Sequence, residues 1–325
     1  MTDRVLHLVF LDAATYGNAS LDRFTNIWNC TIHSQSAPSD IIGRLAGHQV
    51  AITNKVELDR SILSGPSAAD LKLIVVAATG TNNVDLDTAR KRCIQVRNVP
   101  GYATQSVAQF TMALILELTT QAGRYGQIVR GGAWEKSPIF TLFDFSSMEL
   151  RGKKLGVIGF GSIGRAMAEM ARGFGMEILL SARPGTSGEV PEGRTPLAEL
   201  LARADFVTLH CPLTPQTKNL IDGAALATMK PTAFLVNTAR GGIVDEAALI
   251  EALKKRHIAG AALDVISEEP PSPRHPVIKA AKELDNLLVT PHCAWTAHET
   301  RQRLMDEVAE NIAAFQRGKE KNRVV

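Results

Sequence analysis

The sequence predicts an α/β protein of two domains, each a doubly wound parallel sheet with helices on both faces. Three observations lead there. Short β-branched runs alternate with helix-compatible segments, they do so in two separate series, and the turn-rich stretch NVPGY at 98–102 parts the two. The 325-residue length suits about two domains of ordinary size.

In the first series VLHLVFLD, HQVAITN, LKLIVVAA and CIQVRNV read as strands, each bounded by turn residues. SDIIGRLAG and NVDLDTARKR read as helices, the second capped by Asn83 or Asp85. One long helix over residues 105–129 then makes the crossing into the second domain. The second series runs KKLGVIGFG, EILLSA, DFVTLHCP, TAFLVNTA, GAALDVI and NLLVTPHC, six strands with helices between them. A last amphipathic helix, residues 297–317, is expected to return to the first domain.

Composition narrows the function classes. Hydrophobic residues make up 45% and charged residues 21%, as in soluble globular proteins. The net charge of +3 is spread along the chain, which points away from nucleic acid and acidic membranes. Cys30, Cys93, Cys211 and Cys293 lie far apart with no CxxC pair, so reduced thiols are expected rather than disulfides or a metal site. The N-terminal MTDRVLHLVFLDAAT reads as a first strand rather than a signal peptide, and no stretch reaches the ~18 apolar residues of a membrane helix. A cytoplasmic protein with no metal is expected.

The second series opens with Gly159, Gly161 and Gly164 in a GxGxxG turn after an apolar strand. Gly159 permits the tight turn, Gly161 lets backbone approach a pyrophosphate, and Gly164 lets helix and strand pack closely. Ser162 and Ile163 start the helix, whose N-terminus offers free N–H groups and partial positive charge. A dinucleotide is the implied ligand. About twenty residues onward, an NAD site places an acid on the ribose 2′-hydroxyl. Here the chain reads Ser181-Ala182-Arg183. Ala182 leaves room for a phosphate, Arg183 can grip one with its planar fork, and Ser181 can add a hydroxyl. NADP in preference to NAD is the expectation.

Three later strand ends carry Arg240, then Asp264 and Glu269, then His292. Reducing a 2-oxo acid needs a cation to orient the carboxylate and polarise the carbonyl, and a proton donor beside the carbonyl oxygen. Arg240 suits the first task and His292 the second, with Glu269 holding the His292 ring in register.

The runs LRGKKLGVIGFGSIGRAMA, LHCPLTPQTKNLI, MKPTAFLVNTARGGIVDEAAL, GAALDVISEEPP and VTPHCAW resemble, in order and spacing, the D-isomer-specific 2-hydroxyacid dehydrogenases. VAATGTNNVDLDTAR and NVPGYATQSVAQ resemble the glycerate dehydrogenase (hydroxypyruvate reductase) branch. The resemblance implies a Rossmann dinucleotide-binding domain, residues 100–295, inserted into a flavodoxin-like substrate domain, residues 1–99 and 296–325. It makes Arg240, Glu269 and His292 the catalytic three and Asp264 the ligand of the nicotinamide carboxamide. Val107, Thr238 and Ala239 would flank the nicotinamide; His210, Cys211, Pro212 and Thr217 would border the adenosine. The backbone of Ala78, Thr79 and Gly80 would receive the substrate carboxylate. It further implies a small 2-oxo or 2-hydroxy acid substrate, hydroxypyruvate or glyoxylate first, and a homodimer through the cofactor domain with residues 130–145 as an arm. Two departures are Ala182, where NAD-using relatives carry an acid, and Gln109, where Glu is common. A reductase of pyruvate or 2-ketogluconate is the alternative within the class. A non-catalytic, dinucleotide-sensing interaction protein is the alternative outside it.

Overall fold

The computed structural model describes residues 5–185 and 189–325. The chain divides into two compact units, Met1–Ala103 with Thr296–Val325, and Thr104–Trp295.

The first unit is a five-stranded parallel sheet of β1 (His7–Phe10), β2 (Asn29–Ile32), β3 (Val50–Thr53), β4 (Leu73–Val76) and β5 (Gln95–Arg97). Its order is β2-β1-β3-β4-β5, the flavodoxin order. The central strands β3 and β4 are buried at every position, which is why they read as unbroken apolar runs. Strand β2 was not expected. Its sequence NCTI is short and mostly exposed at the sheet edge, so no apolar pattern marks it. Asp85 caps the helix Leu86–Lys91 by accepting the Thr88 N–H at 2.8 Å. Helix His298–Gln316 packs against β4 and buries Leu304, Met305, Val308 and Ile312. The tail then joins the sheet: the Val324 N–H donates to the Val96 carbonyl at 2.7 Å, and buried Arg97 donates to the carbonyls of Asn311 and Lys319.

The second unit is a six-stranded parallel sheet of β6 (Lys154–Ile158), β7 (Glu177–Leu180), β8 (Phe206–Leu209), β9 (Phe234–Asn237), β10 (Gly260–Leu263) and β11 (Leu287–Val289). The order is β11-β10-β9-β8-β6-β7. The chain reverses direction across the sheet beside β6, and the glycine turn follows that strand. Ligands bind at such switch points. Among the described residues the sheet continues outside β7 as a bridge between Ser181 and Thr195.

Both faces of this sheet are covered. One core gathers Leu200, Val207, Leu209, Leu235, Leu249 and Ile258; the other gathers Met112, Ile115, Leu155, Met167, Phe206 and Val236. The single helix expected over 105–129 is two, Thr104–Thr120 and Ala122–Arg130. Gln121 between them is left-handed, φ +53°. The Thr119 and Thr120 hydroxyls turn back onto helix carbonyls, and Gly123 and Gly126 weaken the continuation, so the apolar period runs on while the backbone breaks.

Candidate active site

The glycine turn after β6 is fixed by close approach. Gly159 has φ +95°, and a Cβ there would lie 2.6 Å from the His210 carbonyl carbon. The turn therefore rests directly on the end of β8. A Cβ on Gly164 would overlap the Gly159 carbonyl oxygen, so the helix Ser162–Gly173 starts tight against the turn. Gly161 differs. It is the N-cap of that helix, without a side-chain cap, and a Cβ there would meet nothing within 4 Å. The N–H groups of Ser162, Ile163 and Gly164 have no intrahelical acceptor and leave partial positive charge beside this open cradle.

The cradle borders a cavity of about 1030 Å³ lined by Gly159, Gly161, Ser181, Ala182, Arg183, Arg194, His210, Cys211, Pro212 and Thr217 among others. Among the described residues no carboxylate lines it. Both ring nitrogens of His210 are buried without a partner among the described residues, and burial pushes this imidazole down to about 4. The neutral ring has one N–H donor and one acceptor to satisfy, and a ligand reaching it would supply a partner. Two other residues expected here use their hydroxyls to shape the loops. Thr217 Oγ1 accepts the Thr214 N–H and donates to the Pro212 carbonyl, both at 2.7 Å, and Ser181 Oγ donates to the Ala182 carbonyl at 2.8 Å. Volume, glycine cradle, helix end and unpaired imidazole together fit a dinucleotide.

The second half of the site lies past β9, β10 and β11. Asn237, fully buried, accepts the Ala239 N–H at 3.0 Å and donates to the Arg240 carbonyl at 2.9 Å, closing the turn that presents Arg240. The Arg240 guanidinium is exposed and forms no ion pair among the described residues; it donates to the Ala239 carbonyl at 2.7 Å. Gly241 follows because nothing larger fits: a Cβ there would overlap the Ile266 carbonyl and the Ser267 nitrogen. That contact presses the Arg240 loop onto the loop carrying Glu269. Glu246 holds the same loop by accepting from the Ser267 N–H and hydroxyl at 2.6 and 2.7 Å.

Glu269 accepts the Ile266 N–H at 3.0 Å through Oε1, and its Oε2 lies 2.6 Å from His292 Nδ1. His292 sits in the left-handed region at φ +52°, an uncommon state for a residue with a Cβ, held by its N–H donating to the carbonyls of Asp264 and Thr290. With Nδ1 occupied by Glu269, Nε2 is the ring nitrogen left to work. Asp264, expected at the carboxamide, is 1% exposed, and its oxygens accept from Thr290 Oγ1 at 2.7 Å and from the N–H groups of Cys293 and Ala294 at 2.9 Å. Its carboxylate thereby fastens the loop that carries His292. Burial, with Asp264 beside it, pushes the Cys293 thiol up to about 11, so it stays protonated.

Val107 and Thr238 are brought together by a residue the sequence did not mark. Thr111 Oγ1 donates to the Val107 carbonyl at 2.7 Å and lies 2.9 Å from Thr238 Oγ1. Ser106 Oγ donates to the Ala294 carbonyl at 2.7 Å, tying the same helix end to the His292 loop. Ala78, Thr79 and Gly80 belong to the first unit, just past β4. The Ala78 and Thr79 carbonyls accept from the Val99 N–H and Asn98 Nδ2, and the three amide N–H groups have no acceptor among the described residues. Successive free amides are an anion-binding feature.

Sequence reasoning passed over Asn237, Gly241, Thr111 and Arg194. Gly241 left a signal as the second residue of the run ArgGlyGly after β9, and Asn237 left one as an Asn opening a turn onto Ala239 and Arg240. Thr111 and Arg194 act through contacts that no local pattern records.

A parallel sheet with a pyrophosphate cradle at its switch point, and a cation with a histidine–carboxylate pair on the same edge, defines a nicotinamide-dependent oxidoreductase. Comparison with known proteins agrees and goes further. Residues 112–294 match the NAD-binding domain of the D-isomer-specific 2-hydroxyacid dehydrogenases. A glycerate dehydrogenase of Methylorubrum extorquens is 41% identical over 286 residues, covering 88% of each chain. A hydroxypyruvate reductase of Blautia hydrogenotrophica is 34% identical over 320 residues, covering 96% of this chain and 98% of its own. Among solved structures, the NADPH-dependent glyoxylate/hydroxypyruvate reductase of Sinorhizobium meliloti, in complex with NADP and malonate, aligns with a TM-score of 0.82 at 26% identity over 99% of this chain and 97% of that one. The chain belongs to the D-isomer-specific 2-hydroxyacid dehydrogenase family and is an oxidoreductase acting on CH–OH groups.

Proposed function

We propose that the chain reduces hydroxypyruvate or glyoxylate to the D-2-hydroxy acid, prefers NADPH, and runs the reverse reaction with the same residues. The observation that carries the chemistry is the 2.6 Å contact of His292 Nδ1 with Glu269, on loops pressed against the one presenting Arg240. The names of the relatives support the substrate class. The cofactor preference is supported by Ala182 and Arg183 at the edge of a cavity with no carboxylate.

When bound, the reduced nicotinamide supplies a hydride to the carbonyl carbon. Gly159, Gly161, Ser162, Ile163 and Gly164 would hold its pyrophosphate, Arg183 its 2′-phosphate, His210, Cys211, Pro212 and Thr217 its adenosine, and Val107, Thr238, Ala239 and Asp264 the nicotinamide end. Arg240 orients the substrate carboxylate and draws charge from the carbonyl through its free donors. The free amides of Ala78, Thr79 and Gly80 are the first unit's candidate element for binding a carboxylate. Protonated His292 delivers a proton from Nε2 to the oxygen as negative charge develops there; in oxidation neutral Nε2 takes it back. Glu269 positions the ring and compensates its charge.

Association into a homodimer is part of the proposal. Residues 130–145 expose Trp134, Ile139, Phe140 and Phe143, with Phe140 89% and Phe143 82% exposed. The stretch is nonetheless ordered: Trp134 Nε1 donates to the Phe140 carbonyl, the Tyr125 hydroxyl donates to the Phe145 carbonyl, and Arg124 lies 4.0 Å from the centre of the Phe145 ring. An ordered segment showing that much apolar surface suits a second copy. Among the described residues no helix is long and apolar enough to cross a membrane.

Steady-state reduction of hydroxypyruvate, glyoxylate and pyruvate with NADPH and with NADH tests the reading. Turnover led by hydroxypyruvate or glyoxylate with NADPH supports it. A lead for pyruvate moves the substrate within the class. Cofactor-dependent association without turnover of any 2-oxo acid favours the sensing protein.

A further inference from the structure

Arg194 has no part in the reading above beyond lining the cofactor cavity. Nothing in its neighbourhood, EGRTP, marks it as functional. The fold nevertheless fixes it at the position that matters for cofactor choice. The Thr195 N–H donates to the Leu180 carbonyl at 2.7 Å and the Ala182 N–H donates to the Thr195 carbonyl at 2.8 Å, so Thr195 adds one rung of parallel sheet to the end of β7. The Arg194 N–H is itself bonded to the Pro191 carbonyl at 3.1 Å. The backbone bearing Arg194 is thereby held in register beside Ser181 and Ala182, where an NAD site would carry its acid.

The side chain is held as well. Its Nη1 reaches the Ser181 carbonyl at 3.4 Å, and its guanidinium carbon lies 5.1 Å from the centre of the Phe160 ring. Phe160 is the residue between Gly159 and Gly161 in the glycine turn. An aromatic ring there gives a cation a face to rest on and cuts the side-chain entropy lost on binding. Arg194 is half-buried yet pairs with no carboxylate among the described residues; Glu189 and Glu192, in the same segment, form no ion pair with it. Arg183 is exposed and likewise without an ion pair. Two cations on either side of Ala182, lining one cavity that holds no acid, make a site for an anion.

We propose that Arg194 is a second specificity-determining residue, closing on the 2′-phosphate of NADP from the Phe160 side while Arg183 meets it from the strand end. This rests on the NADP preference proposed above and names a second residue behind it. The two arginines divide the task unequally. Arg183 is exposed and its side chain has no hydrogen bond or ion pair among the described residues, whereas Arg194 is preorganised by Phe160 and the Ser181 carbonyl, so Arg194 contributes more discrimination per hydrogen bond.

The test is binding of two cofactor fragments that differ in the 2′-phosphate, 2′,5′-ADP and ADP, measured by calorimetry on the wild type, Arg194→Gln, Arg194→Lys and Arg183→Gln, with the unliganded Tm of each as a fold check. The wild type is expected to bind 2′,5′-ADP at least ~10-fold more tightly than ADP. Arg194→Gln is expected to weaken 2′,5′-ADP by about 10- to 100-fold and ADP by less than about threefold, with Arg194→Lys between wild type and Gln. Equal weakening of both fragments would mean that Arg194 lies on the adenine, and no weakening of either would mean that it faces solvent; each overturns the proposal. If the wild type does not separate the two fragments, the NADP preference itself fails. If it does and only Arg183→Gln removes the difference, the preference stands and the role of Arg194 is refuted.

Discussion

At the scale of single residues, Arg240 and His210 make separate predictions. Arg240 offers a planar fork with no acidic partner among the described residues, suited to two-point binding of a carboxylate. Arg240→Lys keeps the charge and loses the fork, so KM for the 2-oxo acid is expected to rise at least ~10-fold with kcat also reduced, because the group acts in both the ground and the transition state. Unchanged KM with full kcat would remove Arg240 from substrate binding. His210 predicts a pH effect. Its folded pKa, pushed down by burial to about 4, lies below the ordinary ~6.5 of an unfolded chain. Between those values the unfolded chain binds the proton and the folded one does not, so folding loses up to about 3 kcal/mol as pH falls from 6.5 to 4. Urea unfolding of wild type and His210→Gln at pH 7, 5.5 and 4.5 measures this. The wild type should lose stability faster than the variant through that window; parallel losses would mean that His210 is protonated in the folded protein.

At the scale of elements, the site is a set of loops locked together at one sheet edge, and the locks are glycine and buried polar groups. Gly241→Ala forces the Arg240 loop off the Ile266 backbone. A cost of about 1–3 kcal/mol or more is expected from overpacking backbone against backbone. Because the shift moves Arg240 relative to His292 and Glu269, kcat/KM should fall further than stability implies; a variant with wild-type Tm and kcat/KM would show that the contact is not needed. The same locks explain what the sequence revealed and what it hid. The six strands of the second sheet and the glycine turn could be read from their apolar runs, and so could the positions of Arg240, Glu269 and His292 beyond strand ends, while their catalytic roles came from the combination and the family resemblance. Strand β2 could not, because an exposed edge strand carries no apolar pattern. The helix break at Gln121 was hidden because amphipathic spacing continues through it. The role of Asn237 is a local turn, bonded to residues two and three positions further on. The roles of Thr111 and the Asp264 carboxylate are tertiary, set by partners that no window of the sequence contains. In the first unit Asp12 is of the same kind: buried, it accepts the N–H groups of Asn54, Lys55 and Val56 at 2.7–3.2 Å.

At the scale of the whole molecule, the chain is an oxidoreductase of the 2-hydroxyacid dehydrogenase family whose cofactor unit exposes the apolar segment proposed to meet a second copy. Phe140→Ser with Phe143→Ser removes the two most exposed aromatic side chains of the proposed arm. Sedimentation velocity is expected to show a dimer for the wild type and a weaker, concentration-dependent dimer for the double variant; a monomeric wild type would contradict the assembly. The central claim is that the His292–Glu269 pair supplies the proton in 2-oxo acid reduction. The most direct measurement compares wild type and His292→Ala for kcat in hydroxypyruvate reduction, with NADPH affinity determined alongside. The account predicts a ~10²- to 10⁴-fold loss in kcat with the NADPH Kd within about threefold of wild type. Near-normal kcat in the variant, or a loss fully explained by weakened NADPH binding, would contradict it.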